Sequence, residues 1–329
     1  MPDPLAPPRV AVVIPFFQRH PGILARTVRS ALDQEGNIPL RIIVADDASP
    51  IPAATELAEL IASAPGRIEI VRRANGGPAR ARNTGLDHVP AGCPYVAFLD
   101  SDDLWQPGHL KRAVAALDRG FDLYFADWRF ASETETAFQR TGFDPTRGTA
   151  QGDAVWQMGE SLFDRAFSRH NMTHLSTTVY RFAAFPDLRF AAELTMGEDI
   201  IFYLDLATRN ARALVSDQID MIRGAAEIGA VSIYEGAGWG SPRAIWRLKE
   251  ELRYNRLLGR RYLLSAANRQ WHARRRRALH EDLVLAVLHR LRRCQAVNPG
   301  TVLAALAIDP GLVAAVPRVI LRRAAKPPV

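Results

Sequence analysis

The chain has 329 residues, of which 48% are hydrophobic and 23% charged, values that suit a folded globular protein and exclude a disordered or collagen-like chain. Its net charge of +7 hides a division: residues 1–242 carry 23 basic and 30 acidic groups, net −7, and residues 243–329 carry 19 and 5, net +14. The two cysteines, Cys93 and Cys294, lie too far apart in the chain for a zinc spacing and are too few for a disulfide framework.

The N-terminal third alternates short apolar runs with helical patterns. A strand is predicted over 10–15, stopped by Pro15, and a helix over 21–34 with Ile23, Leu24, Val28, Ala31 and Leu32 on one face. Strands follow at 40–47, 67–71, 94–100 and 121–127, with helices between them at 52–63, 78–88 and 107–118. This alternation predicts an α/β fold: a mostly parallel sheet covered by helices, whose ligands bind at the carboxyl ends of the strands. Asp46, Asp47, Asp100, Asp102, Asp103 and Asp127 fall at or just past such ends. A loop is predicted over 132–152, a helix over 153–167, a strand over 173–182 and a helix from Glu198. Beyond Gly240 the pattern is helical, and residues 278–291 put Leu279, Leu283, Val287, Leu288 and Leu291 on one face.

Four constellations carry chemistry. Asp100-Ser101-Asp102-Asp103 crowds carboxylates after an apolar strand, an arrangement that persists when solvated, protonated or holding a hard divalent cation. A helix cap is the alternative. Asp46-Asp47 can accept hydrogen bonds from a nucleoside or simply make a turn. Asn75-Gly76-Gly77-Pro78 leads into Ala79-Arg80-Ala81-Arg82-Asn83-Thr84-Gly85, where an arginine can meet phosphate near a helix start. Gly197-Glu198-Asp199 opens a helix with acids that either cap it or act as a general base.

The order of these motifs, over roughly residues 9–235, resembles family 2 of the nucleotide-sugar glycosyltransferases, and within it the bacterial enzymes that build exopolysaccharides of the succinoglycan type. The resemblance implies a GT-A fold, a Rossmann-like sheet with a helical C-terminal extension. It divides the chain into a glycosyltransferase domain at 1–240 (nucleotide half 9–127, acceptor half 128–240) and a basic helical region at 241–329. It further implies a UDP-sugar donor, with Pro15, Phe16, Arg19, Asp46 and Asp47 at the nucleoside, Arg82 near the diphosphate and Asp100 at ribose or sugar. Asp102, with Asp100, would hold Mn²⁺ or Mg²⁺. Asp199 would be the base of an inverting transfer and Glu198 its helper. Ala48 departs from the family, which often has glycine there. Ser232, in Glu227–Ile233, is the candidate on the phosphate side.

His170, Asn171 and His174 are candidates for an acceptor site, Trp105 for sugar stacking or core, and Trp239 for a closing loop. The run Arg274–Arg277 predicts attraction to an anionic membrane surface. No nucleic-acid module accompanies it. The most apolar stretch, 302–321, contains Asp309, Pro310, Pro317 and Arg318, which argue against a spanning helix. With no signal-peptide pattern at the N-terminus, the expected location is cytoplasmic, peripheral on the inner face of the membrane, with a lipid-linked saccharide as acceptor.

Overall fold

A computed structural model describes residues 7–152, 154–159, 161–168, 173–224 and 238–324. In chain order the elements are β1 (Val10–Phe16), α1 (Ile23–Leu32), β2 (Leu40–Asp46), α2 (Ala53–Glu56), α3 (Ala58–Ser63), β3 (Ile68–Arg72), α4 (Pro78–Asp87), β4 (Tyr95–Phe98), β5 (Leu104–Trp105), α5 (His109–Leu117), β6 (Leu123–Phe130), α6 (Ala137–Thr141), β7 (Thr149–Ala150), β8 (Val155–Gln157), α7 (Leu162–Ser168), β9 (Val179–Arg181), α8 (Glu198–Thr208), β10 (Ala213–Arg223), α9 (Pro242–Arg261), α10 (Ala266–Arg292), α11 (Pro299–Ile308) and α12 (Ala315–Ala324). They form two units. One comprises Met1–Ala192 with Glu198–Val231, the other Glu193–Gly197 with Ser232–Val329.

The first unit is built on one sheet in the order β3-β2-β1-β4-β9-β6-β10-β8-β7, with β5 paired to β10. Pairing is parallel through β3, β2, β1 and β4 and between β6 and β10, and antiparallel where β9, β8, β7 and β5 join. β1 is buried along almost its whole length because helices cover both faces, which is why its sequence is a continuous apolar run rather than an alternation. Gly85 lets α4 lie close on the sheet: a Cβ there would come within 2.4 Å of Val13 Cγ1.

Three expectations are corrected. Residues 153–167 are not one helix: Val155-Trp156-Gln157 pairs antiparallel with Leu214–Ser216, and the helix of this region is α7, beyond Gly159. The loop expected at 132–152 contains α6, held by a capping box between Thr136 and Gln139. Most of the strand expected at 173–182 is a tight turn at Leu175–Thr177, leaving β9 as three residues.

Neither β5 nor β10 is anticipated from the sequence. Asp217 and Asp220 interrupt the apolar pattern of β10. Asp220 is nonetheless buried, accepting hydrogen bonds from Tyr124 Oη (2.7 Å) and Arg112 Nε (3.0 Å) and facing His109 Nδ1 at 3.0 Å. Burial alone would raise its pKa, but His109 and Arg112 together hold it below the usual carboxylate range.

In the second unit the apolar faces of α9 and α10 pack with α11 and α12 around Leu252, Leu279, Leu283, Leu312 and Val319. Leu291, expected on the buried face of α10, is instead exposed. The ring of Tyr254 occupies the space where a Cβ on Gly197 would lie, and Gly197 takes φ +76°. Asp309 is buried and receives Arg276 through two bonds of 2.5 and 2.6 Å, with His280 Nε2 at 2.9 Å. These partners outweigh burial and hold its pKa at about 2. A depressed folded-state pKa stabilises above the unfolded value and ceases to do so as pH falls through the folded one. Asp309→Asn is therefore expected to lower stability at neutral pH by about 1–3 kcal/mol. Denaturant titrations should show the gap to wild type closing as pH drops from about 4 towards 2.

Candidate active site

The site is assembled at the carboxyl ends of β1, β2 and β4. β2 ends in Asp46 and Asp47, and the two carboxylates do different things. Asp46 accepts the backbone N–H groups of Ser49 (2.8 Å) and Ala53 (3.0 Å), so it fastens the chain turning from β2 into α2. Asp47 reaches the neighbouring loop, accepting Gly76 N–H at 3.0 Å and Gly77 N–H at 2.7 Å and pairing with Arg73. It thereby fixes the glycine loop ahead of α4. Phe16 is buried and its carbonyl accepts Asp47 N–H at 2.9 Å, whereas Pro15 is half-buried and Arg19 exposed.

Ala48 adopts φ +55°, which explains why glycine suits this position. Ala48→Gly is expected to stabilise the protein by roughly 0.5–1 kcal/mol, the relieved left-handed strain exceeding the added freedom of the unfolded chain. Chemical denaturation checks this; a loss of stability would show that the turn carries no strain.

β4 leads into Asp100–Asp103. Thr27 Oγ1 on α1 pins this tip, donating to the carbonyls of Ser101 (2.9 Å) and Asp103 (3.0 Å). Ser176 fastens it from the other side: its Oγ accepts Asp100 N–H at 3.0 Å and donates to Asp103 Oδ2 at 2.6 Å. Burial raises the pKa of both Asp102 and Asp103, and neighbouring carboxylates raise it further, most strongly at Asp103. Asp100 goes the other way, because Arg82 overcomes the effect of burial and lowers its pKa.

Arg82, on α4, is the centre of this arrangement. It is buried, donates from Nη2 to Asp100 Oδ1 at 2.6 Å and from Nη1 to Glu198 Oε1 at 2.8 Å, and lies over the Phe190 ring. Burial works against its charge, but the two carboxylates raise its pKa and keep it a cation. The next residue, Asn83, exchanges two side-chain bonds with the backbone of Phe190, at 2.9 and 2.8 Å. Glu198 and Asp199 open α8. Burial raises the pKa of both; Asp199 accepts a hydrogen bond from Ile200 N–H at 2.8 Å. A carboxylate with a raised pKa is a stronger base than one in water.

Asp100, Asp103 and His174 each offer one ligand atom, all within 4.8 Å of one another. Two hard oxygens and one imidazole nitrogen suit a divalent cation such as Mn²⁺. His174 is held neutral at a pKa of about 3, by burial first and then by Arg223. Its Nδ1 accepts Ser176 N–H at 3.2 Å and lies 3.7 Å from Asp103. Asp102 is on the same tip but outside this trio.

The sequence-predicted residues thus divide. Arg82, Asp100 and Glu198 meet directly, and Asp102 and Asp199 flank them in the chain. His174 joins the acidic tip. Trp105 is a core residue donating from Nε1 to Ser176 O at 2.5 Å, and Asp127 serves the backbone N–H groups of Trp128 and Phe138. Trp239 is exposed in the second unit. His170, Asn171 and Ser232 lie outside the described residues. Sequence reasoning misses Ser176, Thr27 and Arg73. Arg73 alone carried a signal, as a second arginine at the end of β3, beside the β2 tip.

The family model described as glycosyl transferase family 2 matches residues 11–185. The chain is 37% identical over 227 residues to the succinoglycan biosynthesis protein ExoW of Rhizobium meliloti (strain 1021), covering 66% of this chain and 69% of that one. The match spans only 29–33% of three longer uncharacterized Rickettsia glycosyltransferases. Among solved structures, S. aureus TarS 1-349 in complex with UDP superposes with a TM-score of 0.53 at 19% identity, over 97% of this chain and 92% of that one. The mannosyltransferase PcManGT from Pyrobaculum calidifontis, in complex with GDP-Man and Mn²⁺, gives 0.56 at 16% identity, over 98% and 90%. These two likenesses bear on the fold, which is that of GT-A glycosyltransferases.

Proposed function

The chain belongs to glycosyl transferase family 2, and on that premise we propose that this hexosyltransferase moves glucose from UDP-glucose to a lipid-linked or growing saccharide, with inversion and with the help of Mn²⁺ or Mg²⁺, in the assembly of a bacterial exopolysaccharide. Transfer is assigned to residues 1–240, and contact with the anionic inner face of the cytoplasmic membrane to 241–329. The observation that carries the reading is the buried bridge Asp100–Arg82–Glu198, which ties the acidic strand tip to the start of α8. ExoW is named for succinoglycan biosynthesis, and UDP-GlcNAc is bound in another TarS structure; both favour a nucleotide-sugar donor.

In this reading Asp47 and the Gly76-Gly77 loop form the nucleoside end, with Pro15, Phe16, Arg19 and Asp46 shaping its walls. Asp100, with Asp102 or with Asp103 and His174, would hold the cation, which when bound neutralises the leaving diphosphate. Arg82 orients Asp100 and Glu198 and sets a positive charge near the diphosphate. Asp199 takes the proton of the acceptor hydroxyl as that oxygen attacks the anomeric carbon. The C–O bond to the diphosphate breaks with its electron pair, and no covalent enzyme intermediate forms.

The test is a panel of nucleoside-diphosphate sugars incubated with the full chain and a bacterial lipid extract. Nucleoside diphosphate release should depend on Mn²⁺ or Mg²⁺, stop with chelator and be greatest with UDP-glucose. Donor binding without turnover under every metal condition would instead make the chain a silent nucleotide-sugar-binding scaffold.

A further inference from the structure

The arginine run that suggested membrane contact is partly engaged within its own unit. Arg275 pairs with Glu251, and Arg276 with Asp309; Arg274 and Arg277 remain exposed. The large exposed hydrophobics lie elsewhere. The turn and helix from Pro310 to Leu321 bury Leu312, Ala315 and Val319 against the unit's core. They turn Val313, Val316, Ile320 and Leu321 outwards, together with Arg318. Packing accounts for one face of this helix and leaves the other apolar.

We propose that this outward face of α12 and its preceding turn is an in-plane docking surface for an anionic lipid bilayer. The proposal deepens the membrane partner named above and depends on that reading only for the class of partner. Charge complementarity selects the occupant. From Pro310 to Val329 the sequence has no acidic residue and four basic ones, Arg318, Arg322, Arg323 and Lys326. Two acids of the preceding helical region, Glu251 and Asp309, are already paired with Arg275 and Arg276. Apolar side chains flanked by cations are what an interfacial helix presents to an acidic headgroup layer.

The geometry also favours lying over crossing. No single described helix is long and apolar enough to span a membrane, and the one apolar pair, Pro299–Ile308 with Pro310–Leu321, is bent by 106°. Asp309 sits at that bend, held by Arg276 and His280. Straightening the elbow would break a buried ion pair, whereas in-plane docking leaves it intact.

The experiment is co-sedimentation of the full chain with vesicles of phosphatidylcholine alone and of phosphatidylcholine mixed with phosphatidylglycerol. Wild type should bind the anionic vesicles and largely ignore the neutral ones. Changing Val316, Ile320 and Leu321 together to serine should weaken anionic binding by roughly 30-fold or more. Arg274→Gln with Arg277→Gln should weaken it by about fivefold at most. A second readout does not depend on loss of binding: Ile320→Cys on a Cys294→Ser background, labelled with a polarity-sensitive fluorophore, should shift to the blue on anionic vesicles. The same label at Glu59→Cys, on exposed α3, should not. Unchanged binding by the triple serine variant, an unshifted label at position 320, or equal binding to neutral vesicles would each overturn the proposal. So would light scattering that shows a lipid-free dimer converted to monomer by the serine changes, which would assign the face to a second copy of the chain.

Discussion

Asp199→Asn is expected to lower kcat by about 10²–10⁴-fold while leaving donor affinity nearly unchanged, the signature of a lost general base. The same substitution should not destabilise the protein. Burial raises the folded-state pKa of Asp199, so its ionised form is disfavoured by folding and weakens the native state at neutral pH. Asn removes that charge, and equal or slightly higher stability should follow. Activity and stability moving in opposite directions distinguish a catalytic carboxylate from a helix cap, whose loss would cost stability and little turnover. Steady-state kinetics and a denaturation curve on one preparation decide the matter. Near-wild-type turnover would remove Asp199 from the role.

Arg82→Met is expected to cost both quantities. The guanidinium is enclosed between Asp100 and Glu198, and removing it leaves two largely buried carboxylates without their cation. Such losses run to about 3–5 kcal/mol. The sign of the pH dependence follows from Asp100, whose pKa Arg82 lowers. Its stabilising effect is present above the unfolded carboxylate pKa and disappears as pH falls. The gap between Arg82→Met and wild type should therefore narrow on acidification below about 4. Adding Glu198→Gln should recover part of the loss, because one of the two stranded charges is gone. A double-mutant cycle should give a coupling of about 1–3 kcal/mol. Turnover should fall by roughly 10²-fold or more as the acidic tip and the start of α8 lose their common anchor. Additive effects of the two substitutions would show that the bridge is not a unit.

How much of this was legible beforehand depends on whether the determinant is local. β1, β2 and β4 read closely because a parallel sheet buried on both faces leaves apolar runs, and Gly and Pro mark the starts of α1 and α4. α2 and α3 read as a single helix, since the break at Leu57 has no proline or glycine to announce it. β8 reads as helix because three residues carry too little periodicity, and its identity is set by pairing with β10, more than fifty residues away. The acidic tips were visible as motifs, but their division of labour was not. Nothing in Asp46-Asp47 says that the first carboxylate holds the turn and the second the Gly76-Gly77 loop. Ser176 touches both Asp100 and Asp103, yet it sits in a stretch of threonines and apolar residues that reads as an ordinary strand. The Arg82 bridge joins residues 116 positions apart, and only the fold brings them together.

A single inverting displacement with Asp199 as base fixes the anomeric configuration of the sugar in the isolated product, which proton couplings read out by NMR. From an α-linked donor a β-linked product is expected. An α-linked product would contradict it, since retention requires either a second displacement or attack from the face of the departing diphosphate.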